Sequence, residues 1–170
     1  GKAYLGECAE RGLGPRAALA AVCLAAYHLD VEPDVRRAGD LLVASLGRRP
    51  ENVLLHWAGS LLAWRNTCVA EAAQMAEKAL WCCGAEAPRA VYLRYELGAL
   101  RALALDWPEA WRHLRAAHEA ASEGVFFPYR AVLAAQAAAA AFSLGLEAEG
   151  EALCRGCAAQ EGRLEGDCAE

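Results

Sequence analysis

Tyr95-Glu96-Leu97-Gly98, followed by Ala110, Leu114 and Ala117, is the stretch that decides the fold. Gly98 precedes Ala110 by twelve residues, and Leu114 and Ala117 follow Ala110 by four and seven. Steps of four and seven are one and two helical turns, so Ala110, Leu114 and Ala117 share one helix face. A glycine on the helix before it removes the side chain that would hold the two backbones apart. The stretch therefore reads as an antiparallel helical hairpin closed on Gly98.

Outward from this hairpin the pattern recurs. Small residues at the start of successive second helices, Ala38, Ala72, Ala110 and Ala148, are 34, 38 and 38 residues apart. A period of 34 with a Leu-Gly pair in the first helix and Ala in the second is the tetratricopeptide grammar. Ala38 is followed at four by Leu42, at seven by Ser45 and at twelve by Pro50, while Gly59 precedes Ala72 by thirteen. The last pair, around Gln136 and Ala148, keeps the helices without the signature. The expected fold is an all-α, right-handed tetratricopeptide-like α-solenoid of four helical hairpins.

Turn residues set the boundaries. Pro15 starts a helix over 15–29, and Pro33-Asp34 opens one over 34–47. Gly47 to Pro50 stops it, and Pro50 and Asn52 start a third helix reaching 65. A fourth spans 68–83 and a fifth 88–105. Asp106 is a suitable N-cap for the sixth, which Ser122-Glu123-Gly124 ends. The seventh covers 128–144, and the eighth follows Gly145 to about 160. The expected organisation is an irregular glycine-bearing segment 1–14, a repeat domain 15–160 and a flexible acidic tail 161–170.

Composition supports this and excludes other classes. The chain of 170 residues is 56% hydrophobic but only 8% aromatic, so its apolar content is mostly Ala and Leu. Those residues favour helix, and a chain of this length buries roughly 70% of its unfolded surface without a staple. A net charge of −5, with only Lys2 and Lys78 as lysines, is unsuited to nucleic acid. The apolar stretch 131–144 is too short and too alanine-rich to span a membrane. With no basic-apolar leader at the start, the eight cysteines read as reduced thiols and the protein as intracellular, cytoplasmic or peripheral on an organelle surface.

Three segments carry a resemblance to a known family. They are Pro50-Glu51-Asn52-Val53-Leu54-Leu55-His56-Trp57-Ala58-Gly59, Tyr95-Glu96-Leu97-Gly98, and Asp106-Trp107-Pro108-Glu109-Ala110. With Phe127-Pro128-Tyr129-Arg130, where Phe127 stands in place of a Trp, residues 16–154 resemble the C-terminal portion of the tetratricopeptide repeat protein 39 family, relatives of fungal inclusion-body-clearance proteins. The resemblance implies a non-enzymatic intracellular scaffold linked to lipid homeostasis or ciliary organisation, with no catalytic residue to carry over.

The inner face of such a repeat is lined by first helices. Counting from the glycine register, Tyr27, His56, Ser60, Tyr92, Tyr95 and Arg130 fall on that face, with Trp64 at its edge. Tyr and Arg suit binding anchors, bringing contact area with a polar handle. The partner is expected to be a protein, and an isolated array is expected to self-associate through its exposed repeat ends. The bland reading is that Tyr95 and Trp64 pack between hairpins, as Trp57, Trp81, Trp107 and Trp111 do.

Other candidate chemistry is thin. Cys154-Arg155-Gly156-Cys157 has the spacing of half a zinc site or a thiol redox pair, but no second ligand pair follows. His113 and His118 are five apart, whereas a metal pair on a helix wants four. Glu96, in an apolar helix, is expected half-buried beside Arg94 or Arg101, and Arg48-Arg49 reads as a solvated turn. No cofactor, metal or catalytic residue is expected. The rival reading is a lipid or small-ligand carrier, in which the alanine side chains of 131–144 leave a cavity.

Overall fold

Residues that fix or cap helix starts stand where the chain reverses, and the helices begin there. The computed structural model describes residues 1–12, 14–84, 87–123 and 128–156. They fall into two compact units, Gly1–Ala85 and Glu86–Glu170. Among the described residues all regular structure is helical.

The first unit holds α1 (Lys2–Arg11), α2 (Pro15–Asp30), α3 (Val35–Arg48), α4 (Val53–Arg65) and α5 (Val69–Cys83). Helices α2 and α3 form one hairpin and α4 and α5 a second, with α4 also packed on α2 and α3. Pro15 is the first residue of α2. The side chain of Asp34 accepts from the Arg37 N–H at 2.9 Å, and that of Asn52 from the Leu55 N–H at 3.1 Å. These caps satisfy first-turn donors that would otherwise lack partners. The core is small-residue packing: Ala18, Ala20, Ala21, Ala25, Ala38 and Ala58 around Leu42 and Leu55.

The second unit holds α6 (Ala90–Leu103), α7 (Trp107–Ser122), α8 (Arg130–Ser143) and a helix over 147–156, here α9. Helix α7 packs on both α6 and α8. Leu114, Ala117, Leu133, Ala137 and Ala140 make the core, with Tyr95, Trp107, Trp111 and Leu153 against it.

Three hairpins share one turn. Thr67, Leu105 and Gly145 have φ of 60°, 59° and 73°. Each donates to a carbonyl three residues back (Trp64, Ala102, Phe142), and the next residue donates five back, from Cys68 to Ala63, Asp106 to Arg101 and Leu146 to Ala141. This is the Schellman arrangement, which turns the chain while satisfying last-turn carbonyls. The first hairpin differs: Val31 and Glu32 both donate to the Tyr27 carbonyl, and Asp34 donates to that of His28.

Four expectations are corrected. Residues 2–11 are helical rather than irregular, because Ala9, Leu5 and Cys8 enter the core. Arg48 and Arg49 are not a solvated turn: they donate to the carbonyls of Ala9 at 3.3 Å and Gly12 at 2.6 Å, closing the end of α1. Asp106 stands at the start of α7 without a side-chain cap bond; its carboxylate lies 3.5 Å from Arg101. The close-approach residue of the last hairpin is Gly150 rather than Ala148. Ala38, Ala72 and Ala110 are each the fourth residue of their helix and buried, and so is Gly150, whereas Ala148 is exposed. A Cβ on Gly150 would lie 2.6 Å from the Phe142 ring.

Candidate partner-binding surfaces

In the first unit, Tyr27 lies in the last turn of α2, partly exposed, with its ring edge-on to His28 at 5.9 Å between centroids. The Lys2 ammonium sits 5.1 Å from the Tyr27 ring centroid and donates to both carboxylate oxygens of Glu32. Glu32 lies 3.0 Å from Nδ1 of the buried His28, off hydrogen-bond geometry. The Lys2 hydrogen bond is the main reason its carboxyl is held below the usual range; partial desolvation opposes it.

His56 and Ser60 face inward. Helix α4 is wrapped by α2, α3 and α5, so positions one turn apart on its inner side close over. His56 is 8% exposed and Ser60 0%. The His56 Nε2–H donates to the Pro50 carbonyl at 2.6 Å, tying the α3–α4 turn to its own helix. Trp64, at the other end of α4, is exposed.

In the second unit, Tyr92 is 40% exposed on α6, Tyr95 is half-buried against the core, and Arg130 is exposed as the first residue of α8. Arg130 also acts on His118, whose pKa is lowered chiefly by burial and further by Arg130, against an upward pull from Glu119. Glu109 is held low by its bond to Arg112. Glu96 is half-buried, as expected.

The tryptophans divide. Trp107 and Trp111 pack on the core of the second unit, and Trp111 carries the Arg115 guanidinium 5.8 Å from its ring. Trp57 is partly buried, but Trp81 is 77% exposed. It continues the outer row Ala70, Gln74, Glu77 and Lys78 of α5, all exposed. His113 is buried, with Nε2 2.8 Å from Arg112. Cys157 and Cys168 lie outside the described residues; Cys154 is exposed, and no group of three or more metal-ligating side chains occurs among the described residues. No helix among the described residues is long and apolar enough to cross a membrane. Ala134, Ala137, Ala138, Ala140 and Ala141 of α8 are all fully buried in packing contacts.

Solved structures match nearly the whole chain. A kinesin-light-chain-type protein of Podosopora anserina with nearly identical TPR-like repeats is 17% identical, with a TM-score of 0.72 over 96% of this chain and 84% of that one. BtubC (BKLC) of P. vanneervenii is 15% identical, with a TM-score of 0.80 over 97% of this chain and 73% of the other. The fold is tetratricopeptide-like. The TPR-like solenoid class thus has direct support beyond residue spacing. No protein-family model matches the chain, and neither does any curated protein.

The residues missed from sequence are Lys2 and Glu32. The signal was modest: Glu32 follows His28 by four and Tyr27 by five, at an acidic turn that also contains Asp30 and Asp34. Lys2 could not be placed while residues 1–14 read as irregular.

Proposed function

We propose that the chain is a non-enzymatic, intracellular scaffold that captures a protein partner on the first-helix faces of its TPR-like hairpins. The observation that carries this is the placement of Tyr and Arg on first helices. Tyr92 and Arg130 are exposed on α6 and α8, and Tyr27 is partly exposed on α2. Tyr and Arg are the residues that most often dominate protein interfaces. Tyr95 is half-buried against the core of the second unit, and His56 and Ser60 are buried on α4. The resemblance of residues 16–154 to the tetratricopeptide repeat protein 39 family belongs to this proposal, and with it a role in lipid homeostasis or ciliary organisation. In that resemblance the Pro-Asn opening corresponds to Pro50 and Asn52, where Asn52 caps α4.

The test is affinity capture from cell extract with wild type and the Tyr92→Ala/Arg130→Ala variant, read by mass spectrometry. Proteins held by wild type and lost by a folded variant support the scaffold. Identical profiles overturn it.

A further inference from the structure

The chain itself shows what Tyr27 and Glu32 accept. An ammonium group is seated there: Lys2 Nζ lies over the Tyr27 ring and donates to both Glu32 oxygens. Three features favour a cation at this point. The ring presents its negative π-face, the carboxylate supplies a full charge, and α2 ends here with its dipole's negative pole. The neighbouring His28 is buried, with Nδ1 3.0 Å from Glu32 but outside hydrogen-bond geometry. Asp30, on the same turn, is already engaged by Arg65 at 2.6 Å.

The occupant is held lightly. Lys2 keeps 38% and Glu32 36% of side-chain exposure, and exposed ion pairs contribute little net stability. Lys2 stands at the start of α1, a helix with Ala9 as its one fully buried residue. The ammonium can therefore leave while the ring, the carboxylate and the histidine beneath them stay in place.

We infer that Tyr27 and Glu32 form a recognition subsite for a lysine or arginine side chain of a partner protein, occupied by Lys2 in the unbound chain. This rests on the scaffold reading and names the chemistry of one anchor: a basic segment, matched to a chain of net charge −5. Binding exchanges one cation for another, so Lys2 acts as an internal competitor. A site available only part of the time binds more weakly by the fraction of time it is open.

The experiment uses the full chain and a terminally blocked hexalysine peptide, titrated by ¹⁵N NMR at low salt. Lys2→Gln, which keeps most of the aliphatic stem, should bind about three- to tenfold tighter than wild type, with the largest shifts at Tyr27 and Glu32. Lys2→Arg keeps a cation in the site and should bind as wild type does. Lys78→Gln, an equal charge change on α5, should give no such gain. Adding Glu32→Gln to Lys2→Gln should abolish the gain. Circular dichroism on each variant reports whether α1 has melted; if it has in Lys2→Gln, Lys2→Met takes its place in the comparison. Equal affinity for wild type and Lys2→Gln, a gain matched by Lys78→Gln, or a gain that survives Glu32→Gln overturns the subsite. The scaffold reading is tested separately through Tyr92 and Arg130 in the other unit. Capture lost there, without any gain from Lys2→Gln, removes the subsite alone.

Discussion

The second and third hairpins place a glycine at the same point and cover it with different side chains. Gly59 is covered by Met75 and Gly98 by Leu114, each sixteen residues further on. A Cβ at position 59 would meet the terminal Cε of Met75 at 2.3 Å, an atom at the end of a flexible chain. A Cβ at position 98 would meet Leu114 Cγ at 2.6 Å and the Leu114 backbone nitrogen at 3.2 Å. Met adapts by rotating, whereas a backbone atom cannot move without shifting α7. The same sequence signal therefore marks a helix contact with slack in one hairpin and without slack in the next.

The largest effect should come from the covering residue of the tight hairpin. Leu114→Ala should lower stability by about 2–5 kcal/mol in chemical denaturation, because it empties a fully buried site. Met75→Ala should cost less, since Met75 is only partly buried. Next comes Gly98→Ala, expected to destabilise by about 1–3 kcal/mol through overpacking. Gly59→Ala should fall within about 1 kcal/mol of wild type, the helix-propensity gain of Ala over Gly offsetting the Met75 adjustment. Equal costs at Gly59 and Gly98 would break the comparison.

The shared Schellman turns extend it. Thr67 and Leu105 occupy the left-handed region that Gly145 occupies without strain. Leu105 is exposed, so Leu105→Gly gives up little packing. It should raise stability by about 1 kcal/mol in thermal melts, as should Thr67→Gly, while Gly145→Ala should lower it by a similar amount.

The smallest expected effect is a pH dependence, of which the part nearest neutrality comes from His118 in the second unit. Burial lowers the His118 pKa, so the unfolded chain binds the proton first as pH falls. The contribution of His118 is intact above about pH 6.5 and is lost as pH drops below that value. His118→Gln should flatten the stability profile in that window. Glu109 and Glu32 act lower: their depressed carboxyl pKa values favour folding above the ordinary carboxylate range, and this is lost on acidification through their folded values.

Most of the fold was legible because helix starts are encoded locally. Pro15, Asp34, Asn52 and Trp107-Pro108 each open a helix within two residues of the expected point. Alanine periodicity then gave the buried faces. What escaped depends on contacts distant in sequence. The helix α1 needs Arg48 and Arg49 from 39 and 37 residues away, and its glycines argued locally for a coil. Spacing by 38 selected Ala148, but α9 begins 40 residues after α7, which moves the close-approach position to Gly150. Trp81 was expected to pack inward because large aromatics usually do; its helical row is polar and faces solvent. Spacing put His56 and Ser60 on the first-helix face, but α4 packs among three neighbours, which no hairpin considered alone reveals.

Partner affinity tests the central claim most directly, measured by calorimetry on wild type, Tyr92→Ala/Arg130→Ala and Trp81→Ala with one captured protein. Trp81 is the more exposed aromatic but lies on a second helix. The first-helix account predicts at least a tenfold loss for the Tyr92/Arg130 variant and unchanged affinity for Trp81→Ala. Unchanged affinity for the first variant with a loss at Trp81 would contradict it.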